Sequence, residues 1–462
     1  MFKKYKHIHF VGIGGIGMSG IAEVLINLGY KVTGSDIKSS DITKRLKRLG
    51  AKLYLGHKKK NVHGAHVVVT SSAVSNDNPE VKEAKSLGIV VVPRAEMLSE
   101  LMRLKYGVAI AGTHGKTSTT SLIGYVLSKA AMDPTIIIGG KVKSLRSNAK
   151  LGRGEFLVAE ADESDRSFLK LAPTIGIITN IDPEHMENYN GFADLQNAFV
   201  EFSNKVPFYG AVVACDVHPS VKKVLKKVTR PVITYGTEKS DYSAKAIESV
   251  GEYMKFNAYC HGEKMGPVKL KMTGSHHVMN ALAAIAVARY LDIPFKTIKS
   301  ALDGFSGVKR RFEILTKKGP TVIDDYAHHP VEIEATLNAA RAGWPEKRIV
   351  VVLQPHRYSR LADHYDEFLR TIKGADAVVI MDVYSAGEKT HKKFTGEKLW
   401  KDACRKYSKK MVAYAPTTED VLTTLTPWCK KEDLILFLGA GSVTQTAKMF
   451  AKSLTSQRSA RG

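Results

Sequence analysis

No stretch of this chain approaches the ~20 consecutive apolar residues that a membrane span needs, so no membrane partner is expected. Cysteine is scarce: Cys215, Cys260, Cys404 and Cys429 stand far apart with no C-x-x-C pair. That argues against a zinc knuckle or a disulfide framework and fits reduced structural thiols. The opening MFKKYKHIHFVGIGG carries no cleavable signal pattern and runs straight into a strand, so a cytoplasmic location is expected. Acidic residues are in deficit, 45 against 69 basic ones, for a net charge of +24. Such a surplus raises nucleic-acid binding as a function. The basic residues, however, lie in short separated clusters such as Lys58-Lys59-Lys60, Lys309-Arg310-Arg311 and Lys392-Lys393, without a helix-turn-helix, zinc finger or aromatic RNA-binding pattern. No nucleic-acid partner is expected, and the charge reads as solvated surface suited to an anionic substrate.

What is present is ordinary globular material, 44% hydrophobic and 25% charged, at a length that suggests about three domains. The expected fold is α/β. The stretch around which the rest is organised is Val108 to Ser118, an apolar strand that breaks into Gly112-Thr113-His114-Gly115-Lys116-Thr117-Ser118 and then a helical pattern. Gly112 and Gly115 would let backbone N–H groups approach phosphate oxygens; Lys116 adds a point charge, and Thr117 a hydroxyl for Mg²⁺. The form is shortened, Gly-x-x-Gly-Lys-Thr, and the helix after it, from Ser118 to about Ala130, would aim its positive end at the same anion.

The N-terminus repeats the theme without the lysine. His7 to Val11 reads as a strand, Gly12-Ile13-Gly14-Gly15-Ile16-Gly17 as a turn, and Met18 to Leu28 as a helix. Gly12, Gly14 and Gly17 match the dinucleotide fingerprint, with Asp36 about 20 residues on. Alone this points to NAD, although any diphosphate could sit on that helix N-terminus.

Further strands end in polar residues, where an open parallel sheet gathers its ligand. Phe156 to Ala159 runs into Glu160-Ala161-Asp162-Glu163-Ser164-Asp165, a place for a Mg²⁺ ligand. Thr174 to Thr179 runs into Asn180-Ile181-Asp182-Pro183-Glu184-His185. Tyr242 to Met272 reads as short, peripheral, antiparallel segments, and Gly274-Ser275-His276-His277-Val278-Met279-Asn280 opens a long Ala-rich helix. Beyond Arg311 the alternation resumes, with a helix expected from Leu361 to Ile372 and polar ends at Asp324 to Pro330, Gln354 to Arg360, Asp382 to Glu388 and Gly439 to Gly441. Ser453 to Gly462 reads as a frayed tail.

Taken in order, HIHFVGIGGIGMSGIAE, GTHGKTSTT, EADESDRSF, TNIDPEHMENY, GSHHVMNA, DDYAHHP, QPHRYSR and DVYSAGE resemble the Mur ligases across essentially the whole chain. The resemblance implies three domains: a Rossmann-like UDP-sugar-binding domain at residues 1–105, a central P-loop ATPase-type domain at 106–311 and a Rossmann-like amino-acid-binding domain at 312–462. It also implies small-molecule substrates, namely ATP, UDP-N-acetylmuramate and L-alanine, and Mg²⁺ at two sites. The reaction would be an ATP-driven amide formation through an acyl phosphate. Lys116, Glu160, Asn180, His185 and Arg311 would be catalytic, and Thr117, Glu160 and His185 would hold metal. Gly112 to Ser118, His276, Asn280, Arg311 and Asp325 would bind ATP. Gly12, Gly14, Gly15, Ile16, Gly17 and Asp36 would take the UDP-sugar, and Tyr326, His328, Arg357 and Arg360 the alanine.

Two departures stand out. Some relatives carry a carbamylated lysine about fifteen residues past the metal histidine; here that region is Ala198-Phe199-Val200-Glu201-Phe202, so no carbamate is expected. His277 stands where close relatives would carry asparagine and receives no role. A sister ligase that joins a preformed peptide to the same sugar would share the ATP and metal residues. An NAD-dependent oxidoreductase would use the first glycine turn but would leave GTHGKT unexplained. A monomer or weak homodimer is expected.

Overall fold

The structure, a computed structural model, describes residues 5–71, 73–138, 149–184 and 186–459. The chain is α/β, with three sheets, and separates into two compact units. The first is Met1–Ala246, Phe256–Lys269 and Val278–Ser306; the second is Ile247–Lys255, Leu270–His277 and Gly307–Gly462.

The first unit begins with β1 (His7–Val11), α1 (Ile16–Asn27), β2 (Lys31–Asp36), α2 (Asp41–Arg48), β3 (Lys52–Leu55), β4 (Val67–Thr70), α3 (Pro79–Ser86), β5 (Val90–Pro93) and α4 (Arg94–Met102). The strands form a parallel sheet in the order β3-β2-β1-β4-β5. Local chemistry starts the helices: Ser40 and Thr43 make a capping box for α2, and Asn78 with Pro79 opens α3, satisfying N–H groups that a helix start leaves without partners. β1 is buried at every position, yet it carries two histidines at alternate positions, hence on one face. Both enter a polar seam. His7 and His9 bond Thr33 Oγ1 at 3.0 and 2.8 Å, while the fully buried Glu80 accepts from Ser35 Oγ at 2.5 Å and Asn61 Nδ2 at 2.6 Å and pairs with His9 at 3.5 Å. Burial alone would raise the Glu80 pKa, but the bonds from His9, Ser35 and Asn61 bring it down to about 2.

The second sheet is built from β6 (Tyr106–Ala111), α5 (Lys116–Lys129), β7 (Thr135–Ile137), β8 (Ala149–Lys150), β9 (Phe156–Glu160), β10 (Ile175–Ile178), α6 (Phe192–Asn204), β11 (Ala211–Cys215), α7 (Pro219–Leu225) and β12 (Val232–Gly236). It continues through β13 (Tyr242–Val250), β14 (Tyr253–Cys260) and β15 (Glu263–Leu270), followed by α8 (Ser275–Tyr290) and α9 (Phe295–Asp303). Those last strands lie at one end of the sheet, as expected, but run eight or nine residues rather than being short. In the order β15-β14-β13-β12-β11-β10-β6-β9-β7-β8, the chain leaves β6 toward one side and later returns to the other through β10. The carboxyl end of β6 is therefore a topological switch point, where such sheets bind ligands.

The second unit holds β16 (Glu313–Thr316), β17 (Thr321–Asp325), α10 (Pro330–Gly343), β18 (Ile349–Leu353), α11 (Tyr358–Asp363), α12 (Tyr365–Thr371), β19 (Ala377–Ile380), α13 (Gly396–Lys406), β20 (Met411–Tyr414), α14 (Thr418–Trp428), β21 (Leu434–Leu438) and α15 (Val443–Ser459). The order is β16-β17-β21-β18-β19-β20, parallel except for β16. Two expectations are corrected. The helix expected from Leu361 to Ile372 is two helices, because His364 leaves helical geometry at φ −124°, ψ 31° and sets its ring edge-on against His329 at 4.5 Å. The chain from Ser453 to Ser459 is helical rather than frayed: it continues α15, whose Val443, Ala447, Phe450 and Ala451 pack with Val322, Ile435 and Phe437 of the sheet. Amphipathic packing of this kind stabilises a helix beyond its intrinsic propensity.

Candidate functional site

At the end of β6 the chain turns through Gly112, whose φ is +134° and whose hypothetical Cβ would lie 2.1 Å from Thr179 Oγ1. Only glycine fits there. Gly115, left-handed at φ 82°, then starts α5 without any side-chain cap. The turn is stitched to the end of β10. Thr113 N–H donates to the Asn180 carbonyl at 3.2 Å, Asp182 N–H donates to Thr113 Oγ1 at 2.9 Å, and Thr179 Oγ1 donates to the His114 carbonyl at 2.6 Å. The Asn180 amide clamps His114 from both sides, accepting from its N–H at 2.8 Å and donating to its carbonyl at 3.1 Å. Asn180 is thus engaged with the loop itself. From the far side Asn280 Oδ1 accepts from Thr119 at 3.1 Å and would lie 3.1 Å from a Cβ at Gly115. His114 Nε2 approaches Glu184 at 3.2 Å and Asp182 at 3.8 Å.

Lys116 curls over this turn. Its Nζ donates to the carbonyls of Gly112 at 2.5 Å and Thr113 at 3.1 Å, and to both oxygens of Glu163 at 3.0 and 2.9 Å. Burial works against the ammonium, but Glu163, Asp162 and Glu160 outweigh it and hold the Lys116 pKa above the usual lysine value. Three carboxylates around one ammonium leave an excess of two negative charges when all are ionised. Glu160 and Asp162, with the Thr117 hydroxyl at the start of α5, are hard oxygen donors of the kind Mg²⁺ accepts, so this donor set fits a divalent cation, while Glu163 is engaged by Lys116. Glu160 ends β9 in register with Ile110 of β6, which puts it at the same sheet edge as the loop. The third expected metal residue, His185, lies outside the described residues. Ser118 is buried behind the loop. The helical region Ala198–Phe202 turns Ala198, Phe199 and Phe202 into the core.

The first glycine turn is quieter. Gly12 and Ile13 N–H groups donate to the Ser35 carbonyl at 2.9 and 3.0 Å, and Gly14 N–H donates to Asp36 Oδ2 at 2.8 Å. Asp36 also accepts from Lys38 N–H at 3.1 Å, so its carboxylate shapes the turn. Gly15 precedes α1 without a side-chain cap, and Ile16 is exposed. A residue overlooked in the sequence stands here: the Arg94 guanidinium lies against Gly17 and pairs with Asp162 at 3.5 Å. It begins a helix far from either glycine motif, and nothing local marks it.

In the second unit the ends of β17 and β18 bring several expected residues together. Tyr326 lies under two guanidinium groups, Arg310 at 4.6 Å and Arg311 at 5.4 Å. His328 Nδ1 meets the Tyr326 carbonyl at 3.0 Å and Glu332 at 3.1 Å, and its ring is 5.6 Å from that of His356. Burial, with His328 and Arg360 beside it, pushes the His356 pKa down to about 4, which keeps that ring neutral near pH 7. Arg360 reaches His356 Nδ1 at 3.3 Å, Tyr384 stacks on the His356 ring at 5.6 Å, and Arg357 takes the left-handed region at φ 68°. Asp325 is occupied structurally: its oxygens accept from Phe312 N–H at 2.7 Å and Ala327 N–H at 2.8 Å, while burial raises its pKa to about 6. The His276 and His277 rings lie 4.0 Å apart with their planes tilted by 50°, and burial, then His276 and Arg311, holds His277 neutral. His356 and Tyr384 were not singled out from the sequence, although the motifs QPHRYSR and DVYSAGE contain them.

A glycine-turn lysine among carboxylates at the switch point of one sheet, flanked by a second glycine turn and followed by a separate α/β unit, defines a nucleotide-using ligase of the Mur type. Sequence comparison agrees: "Mur ligase family, catalytic domain" matches residues 7–106, "Mur ligase middle domain" residues 110–288 and "Mur ligase, glutamate ligase domain" residues 310–441. The chain belongs to the Mur ligase family. Within it, the chain is 51% identical to a UDP-N-acetylmuramate–L-alanine ligase of Pelobacter propionicus over 96% of its own length and 97% of the relative's. It is 50% identical to the Geobacter sulfurreducens enzyme of the same name over all of both chains. The crystal structure of the Thermotoga maritima UDP-N-acetylmuramate-alanine ligase superimposes with a TM-score of 0.84 at 30% identity, covering 98% of this chain and 99% of that one. A murein peptide ligase of Psychrobacter arcticus shares the fold at a TM-score of 0.71 and 24% identity, over 97% of this chain and 98% of its own. Among the described residues no helix is long and apolar enough to cross a membrane.

Proposed function

We infer that this chain joins L-alanine to the lactyl carboxylate of UDP-N-acetylmuramate, converting ATP to ADP and phosphate and giving UDP-N-acetylmuramoyl-L-alanine, a peptidoglycan precursor. The observation that carries this reading is the end-to-end likeness, at about half identity, to enzymes named for that reaction. The phosphate loop supplies the chemistry it needs. A carboxylate is a poor acyl donor because oxide would have to leave. Transfer of the γ-phosphoryl forms a bond from carboxylate oxygen to phosphorus, breaks the bond to the β-phosphate and creates an acyl phosphate. The neutral amine of alanine then adds to the carbonyl carbon, the tetrahedral intermediate expels phosphate, and the amine's proton leaves with the departing phosphate as hydrogen phosphate.

The protein's part is positioning and charge compensation. Lys116 and the N–H groups of Gly112 and of Gly115 to Ser118 take the β- and γ-phosphates, while Thr113 and His114 give theirs to Asn180, which keeps that loop in shape. Thr117, Glu160 and His185 would hold Mg²⁺, at two sites, and the metal would supply charge compensation for the phosphates. Asn280, beside the same turn, is assigned to the rest of the nucleotide. The turn from Gly12 to Gly17, with Asp36 and with Arg94 beside it, takes the diphosphate of the UDP-sugar. Tyr326, His328, Arg357 and Arg360 are assigned to alanine, and the setting is the cytoplasm, where ATP and the UDP-sugar are available. The test is phosphate release from Mg-ATP in the presence of UDP-N-acetylmuramate. Release that requires L-alanine supports the reading; release that requires a cell-wall tripeptide instead moves the chain to the peptide-recycling reaction. No release with either, together with NADH binding, overturns it.

A further inference from the structure

An ammonium group has three N–H donors, and those of Lys116 are already engaged by two carbonyls of its own loop and by the carboxylate of Glu163. The side chain therefore folds back onto the turn and carries a counter-charge before any nucleotide arrives. That counter-charge is not a loose surface partner, since Glu163 is buried. Its segment is fixed as well: the Tyr189 hydroxyl donates to the Glu163 carbonyl at 2.5 Å, and Arg166 N–H donates to the same carbonyl at 3.0 Å. The Arg166 guanidinium lies 4.9 Å over the Tyr189 ring and bonds Asp194 at 2.6 Å. Nothing in the assigned chemistry uses Glu163.

A carboxylate so placed has two opposed effects on phosphate binding. It holds the ammonium charged and in one place, which a buried lysine left alone would not manage. It also competes with phosphate oxygens for the same N–H groups. We propose that Glu163 is a positioning residue: it is the resident counter-ion of Lys116 in the nucleotide-free enzyme and yields the ammonium to the phosphates of ATP. The exchange replaces one anion by another, so Lys116 stays compensated in both states, and its aim at the γ-phosphate is set from the Glu163 side. This inference rests on the assignment of ATP to the second glycine turn.

The test uses the full-length protein as wild type and as Glu163→Gln. ATP is titrated calorimetrically with Mg²⁺ and again with a chelator, and kcat is measured alongside. Removing the competing charge should tighten ATP binding by about threefold to tenfold under both conditions, while kcat falls by at least about tenfold because the ammonium has lost its guide. That split is not what a structural lesion gives, since a lesion weakens binding and turnover together. Unchanged or weakened ATP affinity in Glu163→Gln overturns the proposal, as does an unchanged kcat; weakening confined to the Mg²⁺ condition would make Glu163 a metal ligand instead. If Glu163→Gln does not fold, Glu163→Asp carries the test, because a carboxylate one methylene shorter draws away from Nζ. It should tighten ATP binding by about twofold, and unchanged affinity overturns the proposal. A wild-type protein that fails to bind ATP overturns the nucleotide assignment itself, which is distinguishable from a wild type that binds and a variant that binds equally.

Discussion

The two glycine turns of the first unit share a backbone plan and differ in charge. Each follows a buried central strand and opens a helix that lacks a side-chain cap. In the first, an acid, Asp36, bonds the turn's own Gly14 N–H, and the nearest cation is Arg94 from another helix. In the second, a lysine sits inside the turn among three carboxylates. A glycine turn before a helix announces an anion; the side chains around it say which. The first turn offers backbone and one borrowed guanidinium, enough for an ester-linked diphosphate that must be held. The second concentrates charge that can follow a phosphoryl group in transfer.

The sharpest way to break this contrast is to remove the lysine. Lys116→Ala should lose about 10³-fold in turnover, roughly 4 kcal/mol of transition-state stabilisation, while its affinity for UDP-N-acetylmuramate stays at the wild-type level; retained turnover would contradict the assignment of the second turn.

The next effect concerns what supports the first turn. Glu80 lies beneath its sheet with a folded pKa of about 2 against an ordinary 4.5. Because the folded value is depressed, its stabilising contribution, about 3 kcal/mol, is complete above pH ~4.5 and is lost as pH falls toward 2. Glu80→Gln should therefore be less stable than wild type in denaturant titrations at pH 7, with the gap closing between those limits. A pH-independent difference would mean the depressed pKa is not the source.

The smallest effect is on binding at the first turn alone. A Cβ on Gly14 would lie 2.7 Å from Asp36 Oδ2, so Gly14→Ala should raise the KM for UDP-N-acetylmuramate about tenfold, near 1.4 kcal/mol, with the ATP KM unchanged. Equal changes in both constants would mean the two turns do not act separately.

Much of this contrast was legible in the sequence, because glycine spacing, a lysine and acids after apolar strands are local signals. The same is true of the sheets, whose buried strands read as apolar runs. Other features depend on contacts the chain makes at a distance. Which acid of Glu160, Asp162 and Glu163 would grip Lys116 is decided by how the turn after β9 is held by Tyr189, 26 residues further on. The helix break at His364 follows from a ring packed on His329, and the extension of α15 from packing on the sheet. A signal was available for the Glu80 seam: His7 and His9 alternate within an apolar strand, so one face of β1 had to be polar and buried. The capping residues Thr395 and Thr417 are likewise local marks of α13 and α14.

The central claim is that two turns hold two different ligands at once. The direct measurement is an ATP titration of the wild-type protein already saturated with UDP-N-acetylmuramate, without L-alanine. The account predicts that ATP binds this complex at one per chain and displaces no sugar nucleotide. Competition between the two, with either ligand expelling the other, would contradict it.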